Sequence, residues 1–180
     1  MEQKEQLTET ITLPEGVTAS LQDEHLQVKG EKGEITRKLS HPLITIGVGN
    51  NTITVSCSKD AKRKERALAG TFAAHCKSMI KGVTQGYTYT MKTVFSHFPI
   101  KTKVEGNTFL IQNFLGERAP RKAVILDGVD VKVDGEIVTV TGVDKECIGQ
   151  TVANIERASK VKKRDIRVFQ DGVYLISKGG

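Results

Sequence analysis

The sequence predicts an α+β protein of two tandem small domains of the same fold, each a mostly antiparallel sheet packed with one main helix. Three observations predict it: a faint internal repeat, period-two hairpins in both halves, and one amphipathic helical stretch in each half. HLQVKGEKGE from His25 aligns with TFLIQNFLGE from Thr108, so that Gly33-Glu34 falls on Gly116-Glu117, an offset of 83. ITIGVGNNTITV (Ile44 to Val55) then falls on VDVKVDGEIVTV (Val129 to Val140) at an offset of 85. A repeat of this length, faint in identity but shared in pattern, reads as duplication of one supersecondary unit.

The strands follow from alternation. Ile44, Ile46 and Val48, the pair Asn50-Asn51, then Ile53 and Val55 make one hairpin. Val131 and Val133, a turn around Asp134-Gly135, then Ile137, Val138 and Val140 make its partner; Asp-Gly is a favoured tight-turn pair. Between Asp60 and Lys81, Leu68, Phe72, Cys76 and Met79 recur at spacings of four and three, widened by Ala69, Ala73 and Ile80. Gly82 is expected to stop that helix. In the second half Asp144 is the expected N-cap, and Ile148, Val152 and Ile155 form the stripe of a helix ending near Ser159. Gly149 within it costs about 1 kcal/mol relative to alanine, so it marks a close approach, either of a partner to the backbone or of the helix to its own sheet. A strand is expected after each helix, at 86–91 and 165–176. The domain reading is a loose tail over 1–10, a first domain over 11–93, a linker over 94–99 and a second domain over 100–180.

Composition narrows the function. The 180 residues carry a formal net charge of +6, with pI near 9.2, no Trp and 5% aromatics. No apolar run approaches the roughly 20 residues of a membrane helix. The first ten residues mix Glu and Lys and read as neither signal nor transit peptide, which points to the cytosol. Cys57, Cys76 and Cys147 are odd in number and widely spaced, without a C-x-x-C pair. They read as small apolar side chains, not as a disulfide framework or zinc site.

His25, His41, His75 and His97 are scattered, with no carboxylate or cysteine at triad or metal spacing. Gly47-Val48-Gly49 lacks the third glycine and the following helix of a dinucleotide loop. No catalytic residue, metal site, cofactor or small-molecule substrate is expected, and an enzyme acting on RNA has no convergent acid, base or metal set to support it.

The strongest chemical signal is cationic. Lys59, Lys62, Arg63, Lys64 and Arg66 open the first helix, where a solvated face is the plainer reading. Arg157, Lys160, Lys162, Lys163, Arg164 and Arg167, interrupted only by Asp165 among charged residues, gather where the second helix gives way to a loop. Met91 to Gly180 holds 15 basic and 11 acidic residues, net +4, against 12 and 10, net +2, before it. Cations converging at a helix end suit a phosphate backbone and a salt-sensitive affinity. Phe169 and Tyr174 are the only aromatics nearby, so stacking of single-stranded bases looks poor, and recognition of folded RNA by backbone and shape fits better.

These segments also resemble a known family. LPEGV (Leu13 to Val17), KGEKGE (Lys29 to Glu34), RALAGTFAAHCKSMIKGVTQGY (Arg66 to Tyr87), FPI (Phe98 to Ile100) with NFLGER (Asn113 to Arg118), DKECIGQTVANIE (Asp144 to Glu156) and RDIRVFQDGVYLI (Arg164 to Ile176) stand in the order of the universal L six family of ribosomal proteins, archaeal-type. Together they cover nearly the whole chain. The resemblance implies a structural constituent of the large ribosomal subunit in the cytoplasm. It further implies binding of 23S-type rRNA near the sarcin-ricin loop at the base of the stalk, mainly through the second domain. Partners would be that rRNA, neighbouring large-subunit proteins and, indirectly, translational GTPases. The RNA-binding residues implied are Lys145, Gly149, Gln150 and Asn154 on the second helix, with Arg157, Lys160, Lys162, Lys163 and Arg164 beyond it. The C-terminus departs from bacterial members, which end in a Gly-, Lys- and Tyr-rich tail, so no contact of that tail transfers. The alternative is a protein-protein interaction module of two repeated domains within a ribonucleoprotein.

Overall fold

A computed structural model describes residues 8–58 and 61–179. The chain divides into two compact units, Met1–Gln85 and Gly86–Gly180.

In the first unit, β1 (Thr8–Thr12), β2 (Thr18–Gln22), β3 (His25–Gly30), β4 (Gly33–Lys38), β5 (Ile44–Gly49) and β6 (Thr52–Cys57) precede α1 (Arg63–Thr84). They form two antiparallel sheets, ordered β2-β3-β4 and β1-β6-β5. The expected hairpin is β5-β6, with Asn51 at φ +69 in its turn. Helix α1 buries Phe72, Ala73, Cys76, Met79 and Val83 over a floor that includes Leu26, Val28, Ile53 and Val55, all nearly inaccessible. Burying each large apolar side chain contributes about 1.5–3 kcal/mol. Cys57 is buried as well, and burial pushes the Cys76 thiol up to about 11, so both pack as small apolar groups.

Gly82 does not stop α1. It is buried within the helix, which runs to Thr84 and turns at Gly86, whose φ of +71 supplies the left-handed residue that ends many helices. The end of α1 then meets the β3-β4 turn. A Cβ on Gly30 would lie 2.8 Å from both Val83 Cγ2 and the Val83 carbonyl, and the amide of Lys32 donates to that carbonyl at 3.0 Å. The Lys32 ammonium donates to the carbonyl of Gln85. The first glycine of the KGEKGE segment, Gly30, is thus the space through which helix and hairpin touch.

The second unit contains β7 (Tyr87–Val94), β8 (Lys101–Glu105), β9 (Thr108–Gln112), β10 (Arg121–Val124), β11 (Val129–Asp134), β12 (Ile137–Gly142), α2 (Lys145–Ala158) and β13 (Gly172–Gly179). Its sheets are β8-β9-β10 and β11-β12-β7-β13. The repeat is visible in the elements: β11 and β12 lie 85 positions after β5 and β6. In the β11-β12 turn Gly135 takes φ +58, the left-handed conformation that two-residue hairpins reserve for such residues.

Four expectations on boundaries change. The strand after α1 does not close the first unit. Strand β7 pairs with β12 as β1 pairs with β6, and its Tyr87, Tyr89 and Met91 enter the second unit's core beside Val138, Val140 and Ile148. The division therefore falls after Gln85, not in a 94–99 linker, and residues 95–99 connect β7 to β8 inside the second unit. Second, of the tail expected over 1–10, Thr8 to Thr10 belong to β1, held against β6; residues 1–7 lie outside the described residues, as does Lys59 of the first basic cluster. Third, the last strand starts at Gly172, because Asp165 organises a turn before it: its carbonyl accepts from the amides of Val168 and Phe169, and its carboxylate from the amide of Arg167. Fourth, the repeat breaks down at NFLGER, where an excursion over 113–120 replaces the tight β3-β4 turn. Asn113, Leu115 and Gly116 there all have positive φ, unusual for a buried leucine.

The outer edge of β13 is occupied at its start by side chains from the end of α2. The Val173 amide donates to Ser159 Oγ at 3.0 Å, and the Leu175 amide donates to Glu156 Oε1 at 3.1 Å. Ser159 is itself buried, so its hydroxyl takes the place a neighbouring strand would fill.

Candidate nucleic-acid interface

Helix α2 begins where expected. Asp144 caps it, its carboxylate accepting from the amide of Glu146 at 2.8 Å. Ile148, Val152 and Ile155 face the core and are almost inaccessible. That orientation turns Lys145 and Gln150 outward. Lys145 stands in the first turn with its ammonium 6.0 Å from the Tyr87 ring centroid. Gly149 is half-buried, and a Cβ built on it would meet nothing within 4 Å. Close packing of the helix on its own sheet is therefore not what the glycine serves, and the backbone there is open to an outside partner. Asn154 is more constrained: Gln150 Nε2 donates to Asn154 Oδ1 at 2.9 Å, and Asn154 Nδ2 donates to the Val124 carbonyl at 3.1 Å. Asn154 thus ties α2 to the end of β10 and presents Gln150.

The far end of α2 is held by a residue that sequence reading passed over. Arg121, at the start of β10, grips Glu117 with Nε and Nη2 at 2.8 and 2.6 Å. Its Nη1 donates to the carbonyls of Ala158 and Lys160 at 3.0 and 2.8 Å. The guanidinium also lies 4.0 Å over the ring of buried Phe114. One planar fork therefore closes the last turn of α2, the strained 113–120 excursion and the first residue of the basic loop. The hydrogen bonds from Arg121 hold the Glu117 carboxyl below its usual range, with Arg164 adding a smaller pull.

From this anchor the loop over 160–171 projects its cations. Lys160, Lys162, Lys163, Arg164 and Arg167 are all exposed, as is Arg157 in the last turn of α2. Among the described residues, none of Arg157, Lys160, Lys162, Lys163 and Arg167 forms an ion pair within the chain. Lys163 sits at φ +56. Exposed beside them are Ile166 and Val168. The loop is tied down at its other end by Asp171, whose carboxylate is fully enclosed. Asp171 Oδ1 accepts from the Ser96 amide at 3.3 Å and the Ser96 hydroxyl at 3.1 Å, and lies 3.3 Å from His97 Nδ1. His97 stacks on Phe169 at 4.6 Å, and Arg164 lies 4.8 Å over the same ring.

This is a histidine-carboxylate pairing that spacing concealed, since its partners are 74 residues apart. Its connections are those of a clasp. Burial pushes the Asp171 carboxyl up, but the hydrogen bonds from His97 and Ser96 outweigh it and hold the group below its ordinary value. The sign follows: a carboxylate with a depressed folded pKa stabilises above its unfolded pKa, and that contribution is lost as pH falls through the folded one. An Asp171→Asn chain is expected to lose about 1–2 kcal/mol at neutral pH, and its stability should fall less steeply below about pH 4. Urea titrations of both chains from pH 7 down to pH 3 check this; parallel curves would remove Asp171 from the clasp.

The cationic face thus has Lys145, Gly149 and Gln150 along α2, and Arg157 to Arg167 beyond its end. Among the described residues, no group of three metal-ligating side chains accompanies it. What the geometry defines is a duplicated α+β scaffold with a firmly anchored basic loop. The family model for ribosomal protein L6 matches the chain twice, over residues 13–86 and 98–172, one match per repeat with β7 between them. The chain belongs to that ribosomal protein family, whose members are structural and not enzymes. It is 48% identical to the large ribosomal subunit protein uL6 of Methanospirillum hungatei, over 93% of this chain and 95% of that one. It is 47% identical to the protein of the same name from Methanobrevibacter smithii, over 96% of each. Against the one from Methanosarcina mazei the identity is 43%, over 96% of this chain and 98% of that one.

Proposed function

We propose that this chain is a structural constituent of the large ribosomal subunit in the cytoplasm, and that its second unit grips rRNA with the outer face of α2 and the 160–171 loop. The observation that carries the reading is the loop itself: five exposed cations on a backbone pinned at both ends, by Arg121 and by Asp171. Pinning matters, because a phosphate contact made by a preorganised loop costs less ordering than one made by a floppy tail. Each neutralised phosphate releases counterions, so affinity must fall steeply with salt. Lys145, Gly149 and Gln150 extend the contact along α2, with Asn154 holding Gln150 in place. The RNA we assign is the large-subunit rRNA near the sarcin-ricin loop, at the base of the stalk, which the protein braces for docking of translational GTPases beside neighbouring large-subunit proteins.

The test is binding of the full chain to a large-subunit rRNA fragment containing the sarcin-ricin region, across a salt series, against an unrelated structured RNA. A clear preference with a steep salt slope is expected; equal binding to both would overturn the assignment. A Gly149→Ala chain sharpens it. The added methyl enters open space in a helix, so stability should rise by up to about 1 kcal/mol, while affinity for the fragment falls several-fold because the backbone is no longer bare. Unchanged affinity would place the RNA elsewhere.

A further inference from the structure

Tyr87 and Tyr89 are buried, whereas Tyr174 is 46% exposed. Its ring is nevertheless fixed. It folds back over Gly172, where a Cβ would lie 2.9 Å from Cε2, Cζ and Oη of the ring, so only glycine leaves room for it. Its hydroxyl donates to the Gln170 carbonyl at 3.1 Å. This held ring forms one wall of an open groove of about 600 Å³ between α2 and the basic loop. Val161, Val173 and Ile166 supply apolar lining, Arg157 and Lys160 supply cations, and Phe169 is the second aromatic of the lining. Phe169 is already engaged by His97 and Arg164, so of the two aromatics Tyr174 is the one left to stack. Arg157 also lines a smaller recess, with Lys122 and Asn154, so its charge serves both sides of the helix end.

A flat π face on an apolar lining with cations beside it calls for a ligand that is flat, aromatic and anionic at once. A nucleotide has that chemistry, and the volume suits a base and its ribose. The lining holds two cations against one carboxylate, Glu156, which is already taken by the Leu175 amide, and Arg164 adds a third cation over Phe169, so the free charge suits a phosphate and not an acidic peptide's several carboxylates. We propose that the groove takes one unpaired nucleotide of the bound RNA, its base stacked on Tyr174 and its phosphate held by Arg157 and Lys160. The proposal rests on the rRNA-binding reading and adds to it a pocket for a base, where backbone contacts alone were expected.

The experiment is fluorescence anisotropy of the labelled rRNA fragment with full-length wild type, Tyr174→Phe and Tyr174→Leu, each across a salt series and each with its melting temperature. Phenylalanine keeps the stacking face and should bind within about twofold of wild type. Leucine keeps apolar bulk without a π face and should weaken binding about tenfold or more, the usual size of one lost base stack. Its salt slope should match wild type, because a stacked base releases no counterions, whereas Lys160→Ala should give a shallower slope. If wild type prefers the fragment and Tyr174→Leu binds as well as wild type, the nucleotide pocket is wrong and the rRNA reading stands. If wild type shows no preference, the rRNA reading fails first. A loss with leucine that comes with a flattened slope or a lowered melting temperature would make Tyr174 a support of the loop, and would equally overturn the pocket.

Discussion

An Arg121→Ala chain is expected to melt its second unit about 10 °C below wild type. Four hydrogen bonds disappear together, and with them the cation over Phe114. The Arg121 side chain is only 20% exposed, so water replaces its contacts poorly. The Glu117 carboxylate is half open and recovers solvent readily, but the Ala158 and Lys160 carbonyls at the helix end lose a charged donor. A net cost on the order of 2 kcal/mol follows, which for a unit of this size corresponds to the stated shift. Arg121→Lys should recover little, because a single ammonium cannot reach a carboxylate and two carbonyls from one plane. The same chain should bind RNA more weakly, since the loop loses its near anchor. Calorimetry decides it: a melt within 2–3 °C of wild type would show that the 113–120 excursion and α2 hold together without the fork.

Reversing charge at Lys160, Lys162 and Lys163 together, each to Glu, should do the opposite: leave stability nearly unchanged and abolish RNA preference. All three are exposed and, among the described residues, free of ion pairs, so few folded contacts are at stake. Lys163 already holds its positive φ, and glutamate bears that strain no worse. Binding should fall at least a hundredfold at low salt, and the slope of log affinity against log salt should flatten by about 2 to 3 as phosphate contacts vanish. A triple variant that binds with wild-type affinity and slope would make the cluster ordinary solvated surface, and would hand the RNA contact to α2 or to the first unit.

What could be read in advance was what depends on local pattern. Alternation at Ile44 to Val55 and Val129 to Val140 delivered both hairpins, and the stripe from Ile148 to Ile155, with Asp144 before it, delivered α2. The basic loop was visible as composition. Partnership between distant segments was not. Strand β7 follows α1 in the chain, and nothing in its alternation tells which sheet its edges will meet. Arg121 carries no mark of its role, because two of its acceptors are main-chain carbonyls 37 and 39 residues away. Asp171 looked like part of a strand, and its tie to Ser96 and His97 exists only in three dimensions. Tyr174 was set aside as one of too few aromatics; its value comes from Gly172, whose missing side chain leaves room for the end of the ring. Gly149 showed the reverse case: spacing flagged it, and only the empty volume around it separated a packing role from an outward-facing one.

The contacts of Ser159 and Glu156 with β13 have a consequence for the newly made chain before it meets any partner. A sheet that ends in a bare strand invites the same strand of another copy to pair with it, and the pairing can propagate into fibres. At Val173 and Leu175 that invitation is withdrawn, because a hydroxyl and a carboxylate from the chain's own helix already hold the outward amides. The second unit, with a charged face and several exposed apolar side chains, thereby has the first half of its last strand, through Leu175, closed to pairing with another copy.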